Sequence, residues 1–279
     1  LHEPVDDILF ARLLLASDME VPRALLLVRG YANWRRNIIG GGVPPSPMWL
    51  ELGLVCVPFE DKLGRPVILV RLRFADTSPS DCVLEMLYRG IVDASIAHML
   101  LTRSRTDTIS RSNPLEQYIL VLDVIGAGRQ NFSLSSLKVM MRESNERYPE
   151  RLAQVYIIGV NSVAKVIWDM ASSLLHPRTR KKVHLVSTTD VPEFMQNLIH
   201  ETALPKEYGG SGPELPSRPT DSQGIASLAT SAGALALKAW YRLGAISTNE
   251  VSAVPVRNTD ESCLQLQPVV AERPFPLNV

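Results

Sequence analysis

The chain has 279 residues, 46 % of them hydrophobic, enough to bury a full core in one large domain or in one domain with an appendage. Lysine plus arginine balance aspartate plus glutamate at 29 each, so there is no global field to gather nucleic acid or an anionic membrane; charge-driven recognition must come from local clusters, and no nucleic-acid partner is expected. Cys56, Cys82 and Cys263 lie far apart without a C-x-x-C, which argues against a disulfide framework or a zinc site and for a reducing, intracellular compartment.

From Asp6 to Arg36 apolar residues recur at three- and four-residue steps, with Pro22 placed as a first-turn residue, and the spacing predicts two short helices. Gly40 to Pro47 is dense in glycine and proline and reads as a linker or an ordered loop, with a boundary near residue 48. Beyond it β-branched runs alternate with helical ones. The predicted strands are Val67 to Phe74, Tyr118 to Val124, Val155 to Val160 and Val183 to Ser187. The predicted helices are Asp81 to Thr102, Ser133 to Arg147, Ser162 to Leu175 and Val191 to Thr202. This order implies βαβ units in a mostly parallel sheet, and strands apolar on both faces require cover on both sides. Ser211 to Gln223 reads as a second linker, followed by a small-residue helix, Ile225 to Leu243, and two candidate strands, Glu250 to Val256 and Cys263 to Val270. The expected organisation is a helical region over 1–48, a main domain over 49–212, and a linker with a C-terminal extension over 213–279. One reading of that extension is a truncated β domain that meets a protein partner. No charged-then-apolar leader follows Leu1, and the longest uncharged, proline-free run, Gly224 to Leu237, is too short to span a bilayer.

Motifs for chemistry are sparse. Val124-Ile125-Gly126-Ala127-Gly128 begins a dinucleotide fingerprint, but Asn131 stands where its third glycine belongs; an NAD-dependent enzyme stays open as an alternative. The five histidines show no metal-ligand spacing, and there is neither a G-x-S-x-G elbow nor a Walker loop. No catalytic residue, metal or cofactor is therefore expected. Val163, Val166, Ile167, Met170 and Leu174 share one helical face, which Trp168 and Leu175 widen; the ordinary reading is a helix packed on a core. The basic run Arg178 to Lys182 ordinarily reads as a solvated segment.

Several motifs come in a fixed order: Tyr31-Ala32-Asn33-Trp34-Arg35, Lys62-Leu63-Gly64-Arg65-Pro66, Tyr118 to Gly126 with Asp123, Tyr148-Pro149-Glu150-Arg151, and Leu204-Pro205-Lys206-Glu207-Tyr208-Gly209-Gly210. Over Asp6 to Gly210 this set resembles the CRAL-TRIO lipid-binding family, in its phosphatidylinositol-transfer-like branch. The resemblance implies an α/β fold, with a mostly parallel sheet, helices and an apolar lipid cavity, preceded by a small all-α region. It implies non-enzymatic binding and intermembrane transfer or sensing of a phospholipid, phosphatidylinositol first. Glu150, Arg151, Thr179 and Lys182 match the positions that read the head group in that branch. The segment Ser162 to Leu175 matches its gate helix, so Val163, Val166, Ile167, Trp168, Met170 and Leu174 are expected at the cavity. A bound phospholipid is then the ligand, with no cofactor, and a membrane surface is a transient partner of a cytoplasmic, peripherally associated protein. A tocopherol- or retinoid-type cargo belongs to the same fold and is the second reading. The chain departs from the family pattern at Gly159-Val160-Asn161, where Asn-x-Pro is frequent. It departs again at Arg12, which is followed by Leu13-Leu14-Leu15-Ala16-Ser17 where further arginines are common.

Overall fold

The structure, a computed structural model, describes residues 6–39, 54–75 and 113–215 apart from 174 and 176, together with separate positions between 84 and 99. The segment around Gly40 to Pro47 and everything predicted beyond residue 215 lie outside the described residues. Helix α1 (Asp7–Ala16) starts on Asp6, whose side chain accepts from the Leu9 amide, and α2 (Val21–Ile39) follows after a tight corner. Strands β1 (Val55–Glu60), β2 (Pro66–Arg71), β3 (Tyr118–Asp123), β4 (Leu152–Val160) and β5 (Val183–Ser187) form one sheet in the order β1-β2-β3-β4-β5. β1 pairs antiparallel with β2, and every other pairing is parallel. The crossovers carry α3 (Leu134–Arg147) between β3 and β4, and α4 (Ser162–Ser172) and α5 (Pro177–Lys181) between β4 and β5. The described positions between 84 and 99 are helical, and α6 (Val191–Leu198) follows β5.

β1 was not expected from the sequence. Pro58 interrupts its run, and a proline cannot donate to a ladder. The chain accommodates it at the sheet's edge, where the register slips between Cys56 and Phe59.

Alternation along the strands divides the core into two layers. Val67, Leu69, Ile119 and Val121 face α6, where Val191 and Met195 stand one turn apart, and the closing residues Ile199, Leu204 and Tyr208. Ile68 and Tyr118 face the opposite layer, with Trp34 of α2, Val92, Ile96 and Tyr148. Trp34 and Tyr148 meet edge-on with ring centroids 5.3 Å apart, so two of the sequence motifs touch through their aromatic residues.

The segment Leu204 to Gly210 is fastened to the ends of β2 and β3. Tyr208 donates its hydroxyl proton to Asp123 at 2.6 Å, Arg73 pairs with Asp123 at 3.0 Å and with Glu207 at 2.9 Å, and buried Arg71 pairs with Glu207 at 3.3 Å. A Cβ at Gly210 would stand 1.9 Å from the Leu204 carbonyl oxygen, so only glycine lets the chain return this closely.

Gly159 in β4 makes a sharper demand. Its φ is +76°, and a Cβ there would fall 2.2 Å from Ile125 Cγ1. Gly159→Ala should therefore combine left-handed backbone strain with overpacking, a loss of about 2–4 kcal/mol. A urea midpoint unchanged by this substitution would show that the β3–β4 junction yields freely.

Candidate functional site

One face of the sheet does not pack solid. Leu120, Leu122, Val155 and Ile157 are separated from α3 and α4 by an apolar cavity of about 200 Å³. A second space of about 160 Å³ shares Tyr118, Leu120, Leu122, Phe132, Leu137 and Met140 with it as a common wall. Protein cores rarely leave voids larger than a water molecule, and an apolar void of this size loses dispersion contacts without gaining hydration. Such a space makes this face the candidate site. Its few polar groups include the Tyr88 and Tyr118 hydroxyls, 2.8 Å apart, whose pKa values burial raises, so both stay neutral at physiological pH.

Helix α4 is the cavity's cover. Asn161 caps it by accepting from the Ala164 amide at 2.9 Å, and Ala164, Trp168 and Ala171 line the space at helical spacing. Leu175, just after the helix, joins them. Val166, expected with Trp168, is 59 % exposed instead. Two residues apart on an α-helix means about 200° of rotation, so Val166 and Trp168 look opposite ways. The side chains of Val163, Ile167 and Met170, and all of Leu174, lie outside the described residues.

Glu150, Thr179 and Lys182 come together beside this cavity. Lys182 Nζ stands 3.0 Å from Glu150 Oε2 and donates to the Leu152 carbonyl at 2.9 Å; both side chains are partly exposed. Thr179 lines the cavity, and its carbonyl accepts from the Lys182 amide at 3.0 Å. Leu152 and Val183 line the cavity as well, so Lys182 is bracketed by cavity residues. Its basic neighbours Arg178, Arg180 and Lys181 are exposed. Glu150 occupies a left-handed turn, φ +55°, with its carbonyl held by the Gln117 side chain at 2.9 Å.

Arg151 takes a different place. It is fully buried, donating to the Glu116 carbonyl at 2.7 Å and lying 3.3 Å from Glu116 Oε2. Buried Arg12 stands 3.6 Å from the same oxygen and donates to the Leu115 carbonyl at 3.2 Å. The two arginines thus share one carboxylate and tie α1, the approach to β3 and the start of β4 together. Arg12 departs from the family pattern, and Glu116 belongs to none of the sequence motifs. The signal for Arg12 was its place on the stripe Ile8, Leu9, Leu13, all buried: a cation on an apolar helix face requires a buried partner.

The glycine stretch after β3 forms no dinucleotide cradle. Asn131 accepts from the Gly128 amide at 3.0 Å and donates to the Ala75 carbonyl at 2.9 Å, closing a 3-10 turn over Arg129–Asn131, and α3 begins only at Leu134. A pyrophosphate requires the glycine turn to open straight onto a helix N-terminus. Among the described residues no three histidine, cysteine or acidic side chains are grouped to hold a metal ion. Cys56 is buried, and burial pushes its thiol up to about 11. No helix among the described residues is long and apolar enough to cross a membrane.

A sheet with an apolar cavity on one face, a short helix over it and a cation–carboxylate pair beside it make up this α/β domain. The CRAL/TRIO domain family matches residues 50–210, more than half of the chain, and the chain belongs to this family. Phosphatidylinositol/phosphatidylcholine transfer protein SFH12 of Arabidopsis thaliana is 27 % identical over 161 residues, covering 54 % of this chain and 28 % of that protein. Phosphatidylinositol/phosphatidylcholine transfer protein SFH4 of the same plant is 26 % identical over 211 residues, 72 % of this chain and 34 % of that protein. The chain thus spans about a third or less of the length of these relatives. The crystal structure of Sfh5 superposes with a TM-score of 0.58 at 17 % identity, covering 85 % of this chain and 81 % of that one, a likeness of fold.

Proposed function

We propose that this chain binds a phospholipid, phosphatidylinositol in the first place, and carries it between membranes or senses it there without covalent chemistry. The observation that carries the reading is Lys182, paired with Glu150 and bracketed by Leu152, Thr179 and Val183 of the cavity wall. Tails occupy the apolar space; the head group meets its polar edge. There the Lys182 ammonium answers phosphate charge, while Glu150 and the Thr179 hydroxyl bond inositol hydroxyls. Arg151, held by Glu116, stiffens the turn that presents Glu150. Helix α4 acts as the gate, with Trp168 on the tails and Val166 outward. We assign lipid binding to residues 49–212, with the helices of 1–48 ahead of it. The extension over 213–279 is left for a protein partner. The working location is the cytoplasm, with transient attachment to a membrane.

The energetics favour a carrier. A diacyl lipid has about thirty methylenes, and at roughly 0.8 kcal/mol each their exposure to water costs on the order of 25 kcal/mol. A closed apolar cavity avoids that exposure, because the tails exchange one hydrocarbon environment for another. A neutral apolar cargo of tocopherol or retinoid type would fill the same space and leave the Lys182–Glu150 pair undisturbed. Mass spectrometry of lipid extracted from the purified chain should find phosphatidylinositol. Finding none, together with failure to take up labelled phosphatidylinositol from vesicles, would overturn the assignment; a tocopherol- or retinoid-like molecule would replace it with the second reading.

A further inference from the structure

The corner between α1 and α2 is built outward. Asp18 and Met19 both adopt left-handed backbone, φ +58° and +67°, which is uncommon for residues other than glycine. Met19 is 60 % exposed as a result, and Leu15, Val21, Leu25 and Leu26 around it are exposed too, Leu26 at 67 %. Isolated exposed leucines need no explanation, but five large exposed apolar side chains gathered about one helical corner are more than scattered exposure.

Cations adjoin it. Arg178 of α5 donates to the Leu15 carbonyl at 3.2 Å and pairs with Asp18 at 2.5 Å, so α5 lies directly against the corner. Arg180 and Lys181, on the same short helix, are exposed, as is Arg23 at the start of α2. The local acids are Asp18, held by Arg178 and Arg23, and Glu20, so positive charge is in excess. Apolar side chains rimmed by cations suit the boundary between lipid tails and anionic head groups, into which an apolar face sinks while the cations stay at the phosphates. The same α5 places Thr179 in the cavity wall, so this surface is continuous with the edge of the lipid site.

We propose that the α1–α2 corner and α5 form a docking face for a bilayer rich in anionic phospholipid, orienting the cavity's polar edge toward the membrane from which cargo is drawn. The inference rests on the lipid-carrier reading for its purpose, but not for its test. Leu25→Glu with Leu26→Glu removes apolar contact, and Arg180→Glu with Lys181→Glu reverses charge; all four side chains are exposed, so the fold should persist. The 279-residue chain and both variants are floated with phosphatidylcholine vesicles, with and without phosphatidylserine, and the lipid each carries after purification is measured separately. Wild-type chain should float with the anionic vesicles, less so as salt is raised; the charge-reversal variant should bind them at least about 30-fold more weakly, as two cations at an anionic surface predict, and the leucine variant should also bind them more weakly. Variants that float like wild type, or a wild type that ignores anionic vesicles, would overturn the docking face whatever cargo is found. Loss of a dimer in the leucine variant without any change in flotation would overturn it in favour of a protein–protein surface. Absence of cargo with flotation intact would instead remove the carrier reading and leave the docking face standing.

Discussion

Glu116→Ala should lower the unfolding free energy by about 3–5 kcal/mol, much of a typical domain's stability. Glu116 is 7 % exposed, and its carboxylate serves Arg12 and Arg151 at once, at 3.6 and 3.3 Å, both guanidiniums buried. Each arginine has other contacts, among them a backbone carbonyl, Leu115 or Glu116, but a carbonyl dipole offsets less of a buried cation's desolvation than a carboxylate does. Because the cluster joins residues far apart in the chain, the loss should loosen α1 from the sheet as well as lower the global midpoint. Glu116→Gln keeps shape and a hydrogen-bond acceptor while deleting charge, and should fall between wild type and alanine. Urea unfolding followed by circular dichroism measures both. A loss below about 1 kcal/mol for alanine, the scale of an ordinary hydrogen bond, would mean that the shared carboxylate is not what holds the two arginines.

Lys182→Ala should cut transfer of phosphatidylinositol between vesicles by about 10- to 100-fold, because a hydrogen bond to a charged group contributes about 1.5–3 kcal/mol. Transfer of a lipid with a neutral head group should change far less. The discrimination is the point of the measurement, since the substitution also frees Glu150. Glu150 is partly exposed, so water can take over much of its solvation and the general cost to the fold stays small. Equal losses for both lipids would remove the basis for giving Lys182 to phosphate. Lys182→Arg restores the charge but not the compact ammonium, and its recovery of transfer would show how closely the site is fitted.

The parallel strands were readable because each is a short β-branched run and the helices between them keep their own period. β1 was hidden by Pro58, whose tolerance depends on standing at an edge, which is a property of the assembled sheet. At the site, the proximity of Thr179 to Lys182 follows from one turn of chain, and their meeting with Glu150 from β4 and β5 running side by side. The Arg12–Glu116–Arg151 cluster had no such local rule behind it. Three chain-distant residues converge only once the helical region docks on the sheet, and Glu116 lies in a stretch with neither a helical nor a strand period. Likewise, the match to a gate helix implied both Val166 and Trp168 at the cavity, although their separation puts them on opposite sides of a helix.

The cover over the cavity, a single short helix, bears on where the molecule gives way. Four parallel strands are held side by side by their ladders, whereas α4 presents two alanines and a tryptophan to the space at its described wall positions. Opening free energies within a protein range from near zero to the global value, and elements with little buried apolar contact sit at the low end. Amide protons of α4 should therefore exchange with solvent through a local excursion, while those of β3 and β4 wait for global unfolding. Opening of α4 and survival of the fold should in this way answer to separate barriers, so that warming toward the melting point should raise exchange in α4 before the sheet gives way.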